Sequence, residues 1–141
     1  MRATADDHLG IIELGAICAS MRARNIDLFE QIGGWVVDTA DPTLQRLFAE
    51  ASHRHAWHAE LWAQRAPAIP PAELDTSIAA PPFPVFAPIG SAEVYAEQLD
   101  RMLDDLRQLM SRIDVLLDPS TARTITLISA DLTDLQRRLT A

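Results

Sequence analysis

The chain is expected to fold as an all-α four-helix bundle, two antiparallel helical hairpins joined by one long connection, and three observations carry that expectation. Apolar residues recur every three and four positions in four separate stretches. Proline stands at two helix starts, Pro42 and Pro119. Seven of the nine prolines crowd into residues 66–90, where no helix can run.

The first helix is read over about 7–38, on Ile11, Leu14, Gly15, Cys18, Ile26, Phe29, Ile32, Gly33, Val36 and Val37, with Gly33-Gly34 as the place for a bend. Asp41-Pro42 supplies a cap followed by proline at the first helical position, so a second helix runs over about 42–65. The turn between them is short, which makes the pair antiparallel. Residues 66–90 are proline-rich yet carry Ile69, Leu74, Ile78, Phe83, Val85, Phe86 and Ile89, too apolar for a loose linker; they are expected to form an ordered crossover laid against the helices. Ser91-Ala92-Glu93 caps a third helix over about 91–117, on Tyr95, Leu99, Met102, Leu103, Leu106, Leu109, Met110, Ile113, Leu116 and Leu117. Asp118-Pro119-Ser120 breaks the chain, and a fourth helix covers about 120–139 through Ile125, Ile128, Leu132, Leu135 and Leu139. All 141 residues read as one domain.

Composition narrows the partners. The formal net charge of −8 argues against nucleic acid, whose phosphates call for clustered cations. All 12 basic residues are Arg, a usage that points to a GC-rich coding sequence. The lone Cys18 leaves no internal disulfide and no thiolate zinc cage, which suits a reducing compartment. No apolar run approaches the ~20 residues that span a bilayer, and Met1–Asp7 lacks the pattern of a signal peptide, so the protein is expected in the cytoplasm and off the membrane.

Chemistry concentrates in His53-Arg54-His55-Ala56-Trp57-His58-Ala59-Glu60, which holds three of the four histidines. Imidazole is the commonest metal ligand and the usual acid/base group near neutral pH. At 100° per residue, His55 and His58 share a sector with Leu44, Leu47, Phe48, Ala51 and Trp62, while His53 and Glu60 fall nearly opposite. Glu30 borders the apolar sector of helix one between Ile26, Gly33 and Val37, and Arg22 points close to its middle. Asp131 lies at the edge of the helix-four stripe. An inward set of Glu30, His55, His58 and Asp131 would give two imidazoles and two carboxylates, the ligands of non-haem Fe(II) or Mn(II). The same groups serve equally as hydrogen-bonding partners in a metal-free core, Arg22 pairing with Glu30, or as metal-free acid/base chemistry.

The segments Leu28-Phe29-Glu30-Gln31-Ile32-Gly33-Gly34-Trp35-Val36 and Ser52-His53-Arg54-His55-Ala56-Trp57-His58-Ala59-Glu60-Leu61-Trp62 resemble a group of small actinobacterial proteins of the ferritin-like superfamily, over about residues 9–66. The resemblance implies a ferritin-like bundle in which each hairpin supplies a Glu on its first helix and a Glu-x-x-His on its second, together holding two iron or manganese ions. Here helix four has neither His nor Glu, and the literal match, Glu50-x-x-His53, sits on the outer side of helix two. The implied functions are a metal-dependent oxidase or oxygenase acting on a small molecule, a metal-free accessory or binding protein that keeps the fold, or a self-associating structural module. A homodimer is expected, because Ile11, Leu14 and Trp35 have no evident cover within the chain.

Overall fold

The computed structural model describes residues 9–67 and 91–140, which form four helices and no strand: α1 Ile11–Trp35, α2 Pro42–Arg65, α3 Ala92–Ser111 and α4 Pro119–Leu139. The expected crossover, apart from Ala66 and Pro67, lies outside the described residues, as do Asp7 and His8 at the expected start of helix one. Among the described residues no helix is long and apolar enough to cross a membrane.

The helix starts follow from their side chains. The Asp41 carboxylate accepts from the Thr43 N–H with Pro42 at the first turn, and Asp118 accepts from Thr121 N–H ahead of Pro119. Ser91 Oγ accepts from Val94 N–H at the start of α3. Three ends fall short of the expected bounds, the first being the start of α1, which begins at Ile11 with Leu9 and Gly10 outside the helix. The helix one pattern was read to 38, but α1 stops at Trp35, Gly33-Gly34 lies in its last turn, and Val37 stands 83% exposed. The stripe of α3 was read to Leu117, but the helix stops at Ser111 and the Asp114 carboxylate accepts from both Leu116 N–H and Leu117 N–H. That side-chain turn competes with the helical ladder and takes both leucines off the buried face.

Cross-helix contacts give the directions. Asn25 meets His55, Phe29 meets Ser52 and Val36 meets Gln45, so α1 and α2 are antiparallel. Glu13 pairs with Arg112 and Arg24 with Asp105, which sets α3 antiparallel to α1. Glu50 pairs with Arg138, Arg54 with Asp134 and His58 with Asp131, which sets α4 antiparallel to α2. The order is up, down, down, up, and the end of α2 and the start of α3 lie at opposite ends of the molecule.

All four helices feed one core: Leu28 and Ile32 from α1, Trp62 from α2, Tyr95 and Leu99 from α3, Leu132 and Leu135 from α4. Each such aliphatic or aromatic side chain contributes roughly 1.5–3 kcal/mol by leaving water. At Gly33 the α1 and α2 backbones come close, since a Cβ there would stand 2.9 Å from Ser52 Oγ, whose hydroxyl donates to Phe29 O.

Candidate functional site

One face of α2 carries Phe48, Ala51, His55, His58 and Trp62 into the core, at the three- and four-residue spacing of a buried helical row. His55 and His58 have no solvent exposure, and their rings stand 6.0 Å apart, nearly perpendicular. The hydrophobic row therefore draws two polar rings inside, where each needs partners.

His55 has both nitrogens engaged. Asn25 Nδ2 donates to Met21 O at 2.8 Å, which leaves its Oδ1 facing His55 Nδ1 at 3.1 Å. An amide oxygen only accepts, so His55 carries its proton on Nδ1. Nε2 is then the acceptor, and the Tyr95 hydroxyl donates to it at 2.6 Å. The relay Tyr95 O–H to His55 to Asn25 to the α1 backbone ties α3, α2 and α1 together in the dry interior. Burial first, and the neighbouring His58 second, pull the His55 pKa down to about 3, while burial pushes that of Tyr95 up. Both groups are neutral at pH 7.

His58 is held differently. Its Nε2–H donates to the Asp131 carboxylate of α4 at 2.8 Å. Burial lowers its pKa, against the opposing pull of Asp131, so the ring is a neutral donor toward the carboxylate and Nδ1 carries the lone pair. That Nδ1 is buried without a hydrogen-bond partner among the described residues. Outside the pair, Arg54 reaches Glu50 at 2.8 Å, Asp134 at 3.0 Å and Asp131 at 3.8 Å, and Arg138 closes the ladder onto Glu50 at 2.7 Å. The Trp57 ring leans over His58 with centroids 5.8 Å apart.

Of the four residues read from the sequence, the structure brings His58 and Asp131 into contact and sets His55 beside them, but Glu30 stands exposed on the outer side of α1. Arg22, read as pointing inward, is exposed as well. The buried row of α1 is Ile17, Met21, Arg24, Asn25, Leu28 and Ile32; of the row that placed Glu30, Ile26 and Gly33 are only half-buried at its edge and Val37 is exposed beyond the helix end. Glu50 and His53 do not form a metal motif: Glu50 belongs to the arginine ladder and His53 is exposed.

Three polar residues of the core were not singled out from sequence. Asn25 and Arg24 interrupt the true α1 row, and their positions three and four residues from Met21 and Leu28 are the signal that marks them as inward. Tyr95 was read as part of an apolar stripe, yet a tyrosine on such a stripe needs a hydroxyl partner, and a buried histidine on the next helix answers that need. Arg24 is 1% exposed and binds Asp105 at 2.8 Å; burial lowers its pKa and the Asp105 hydrogen bond raises it again.

Chemically, burial holds both imidazoles neutral at pH 7. The donor and acceptor roles around His55 are all assigned to protein groups, and among the described residues no three His, Cys, Asp or Glu side chains gather round a common point. Cys18 is buried and its thiol pKa is pushed up to about 11 by burial, with Arg65 pulling the other way, so it is not a nucleophile at neutral pH. No protein-family model, curated protein or solved structure matches the chain.

Proposed function

We propose that this chain is a ferritin-like four-helix bundle in which hydrogen-bonding side chains stand where a metal centre would be, and that it works in the cytoplasm as a metal-free accessory or binding protein. One observation carries the reading: both imidazole nitrogens of His55 are engaged by Asn25 and Tyr95. A metal on either nitrogen has to displace a partner that is itself buried and would be left unsatisfied, at about 1–3 kcal/mol. The up, down, down, up order supports the ferritin-like part, because that is the layout of two hairpins linked by one crossover.

The residues present do not fit a two-metal carboxylate centre. Glu30 is exposed, helix four offers no His or Glu, and His58 Nδ1, the one buried imidazole nitrogen without a partner among the described residues, is a single ligand rather than a set. The polar core instead fixes the register of all four helices, His55 through α1 and α3, His58 through α4. Such a scaffold leaves its outer faces for recognition.

Isothermal titration of the chelator-free protein with Fe(II) under argon, Mn(II) and Zn(II) tests this reading. No saturable heat is expected for any of the three. Stoichiometric binding that His58→Ala abolishes and His53→Ala spares would overturn the reading and hand the chain to the iron or manganese oxidase and oxygenase class, for which oxygen uptake with a reductant is the next assay.

A further inference from the structure

We infer that the cavity between the α1–α2 turn and the start of α3 binds a small organic ammonium ion, its hydrocarbon body against Trp35 and Phe48 and its N–H groups on Asp38. The inference is independent of whether the histidine pair binds metal.

The cavity holds about 260 Å³. At ~30 Å³ per water, it has room for about nine small heavy atoms. Its walls are Trp35, Leu44, Phe48 and Ala92, drawn from three helices. Trp35 meets Phe48 edge to face, with centroids 5.2 Å apart and planes at 70°, and meets Tyr95 in the same way at 6.3 Å. Neighbouring rings thus fix the Trp35 plane before any ligand arrives. Two aromatic planes set at a steep angle make a corner of the kind that receives alkylammonium groups, whose charge is attracted by the ring quadrupole. An apolar cavity with a few polar groups at its rim is the usual form of a small-molecule site.

The rim selects the charge. Asp38, Thr39 and Ser91 complete the lining, and Asp38 is its one charged group. The Asp38 carboxylate makes no ion pair or hydrogen bond among the described residues. Thr39 spends its hydroxyl hydrogen on Trp35 O at 2.7 Å, so toward a ligand it accepts. Nor does a cation of the chain compete for the carboxylate. Residues 25–45 and 91–100 contain no Arg, Lys or His, while they add Asp41 and Glu93. Arg46, two positions from both Leu44 and Phe48, falls about 200° round α2 from them. In the last turn of α4, Arg137 is paired with Asp134 and Arg138 with Glu50. An anion would be repelled here and a neutral molecule would leave Asp38 unused, whereas an ammonium ion with an apolar body matches walls and rim together.

Calorimetric titration of the full chain at pH 7 with phenethylammonium, a probe of that size, reads the outcome. One site with a dissociation constant below about 1 mM is expected, with backbone amide shifts at Thr39 and Ala92 in nitrogen-15 spectra. Phenethyl alcohol, of the same shape and uncharged, is expected to bind about tenfold more weakly. Asp38→Asn, at an exposed position with no partner to lose, is expected to bind the amine about threefold more weakly at unchanged helical circular dichroism. Glu60→Gln, an exposed acid near the other end of α2, is expected to bind as the wild type does. No saturable binding by the wild type up to about 10 mM would overturn the proposal. So would equal affinity for the alcohol, an Asp38→Asn chain that binds the amine undiminished, or amide shifts that gather away from the cavity.

Discussion

Tyr95→Phe removes one oxygen from the interior and leaves the ring in place, which isolates the hydrogen bond to His55. Both partners have zero exposure and the contact is 2.6 Å, so no water stands ready to replace the lost hydroxyl. The remaining cost is that of a buried imidazole nitrogen whose lone pair has no donor, about 1–3 kcal/mol. Urea unfolding followed by circular dichroism should show a lower midpoint at unchanged slope, and a melting temperature lower by about 2–4 °C for each kcal/mol. The background matters more than the size. In a His55→Leu chain the Tyr95 hydroxyl is the group without a partner, so Tyr95→Phe should there raise stability. A Tyr95→Phe chain as stable as the wild type, or the same sign of change in both backgrounds, would refute the relay.

The remaining expectations concern the same core. Because burial holds the His55 pKa near 3 and that of His58 below its usual value, the unfolded chain binds more protons as pH falls through about 6.5. Stability should therefore drop on acidification from about pH 7 toward 5, by at most about 1.4 kcal/mol per pH unit for each histidine, and a flat urea midpoint over that range would contradict the neutral, buried pair. Asp105→Ala takes the carboxylate away from the buried Arg24 guanidinium and should cost about 1–3 kcal/mol, whereas Arg24→Met with Asp105→Leu should cost clearly less; equal losses by chemical denaturation would show that the ion pair is not the issue. The Cys18 thiol, with its pKa pushed up to about 11, should stay silent to a disulfide reagent at pH 8 until urea unfolds the chain. Gly33→Ala should gain the ~1 kcal/mol of helix propensity only when Ser52 is also Ala, because the new methyl meets Ser52 Oγ at 2.9 Å in the wild type.

The parts of this fold governed by local rules were legible in the sequence. Asp41-Pro42 and Asp118-Pro119 mark two helix starts because cap and ring constraint act within three residues. The inward placement of His55 and His58 was legible because α2 has a clean apolar row around them. Helix one was harder for a physical reason. Its interior face spends two central positions on Arg24 and Asn25, while Ile11, Phe29 and Val37 are exposed, so the apolar pattern points weakly and to the wrong side. Glu30 followed that pattern outward. The Arg24–Asp105 and His55–Tyr95 contacts join residues 81 and 40 positions apart, and no spacing rule reaches across helices that far. The early end of α3 was readable in principle from Asp114, whose carboxylate competes for the next N–H groups, but the leucines after it continue a helical stripe and mask the signal.

In the proposed reading, protein side chains, and no metal, set the state of the two buried imidazoles. Nitrogen-15 correlation spectra of the histidine rings test it atom by atom. At pH 7 His55 is expected as the neutral Nδ1–H tautomer with Nε2 accepting from Tyr95, and His58 as the neutral Nε2–H tautomer donating to Asp131, with neither set of resonances moving when Zn(II) is added in excess. A His55 ring protonated on Nε2, or a shift or loss of the His55 and His58 signals at one equivalent of metal, would contradict it.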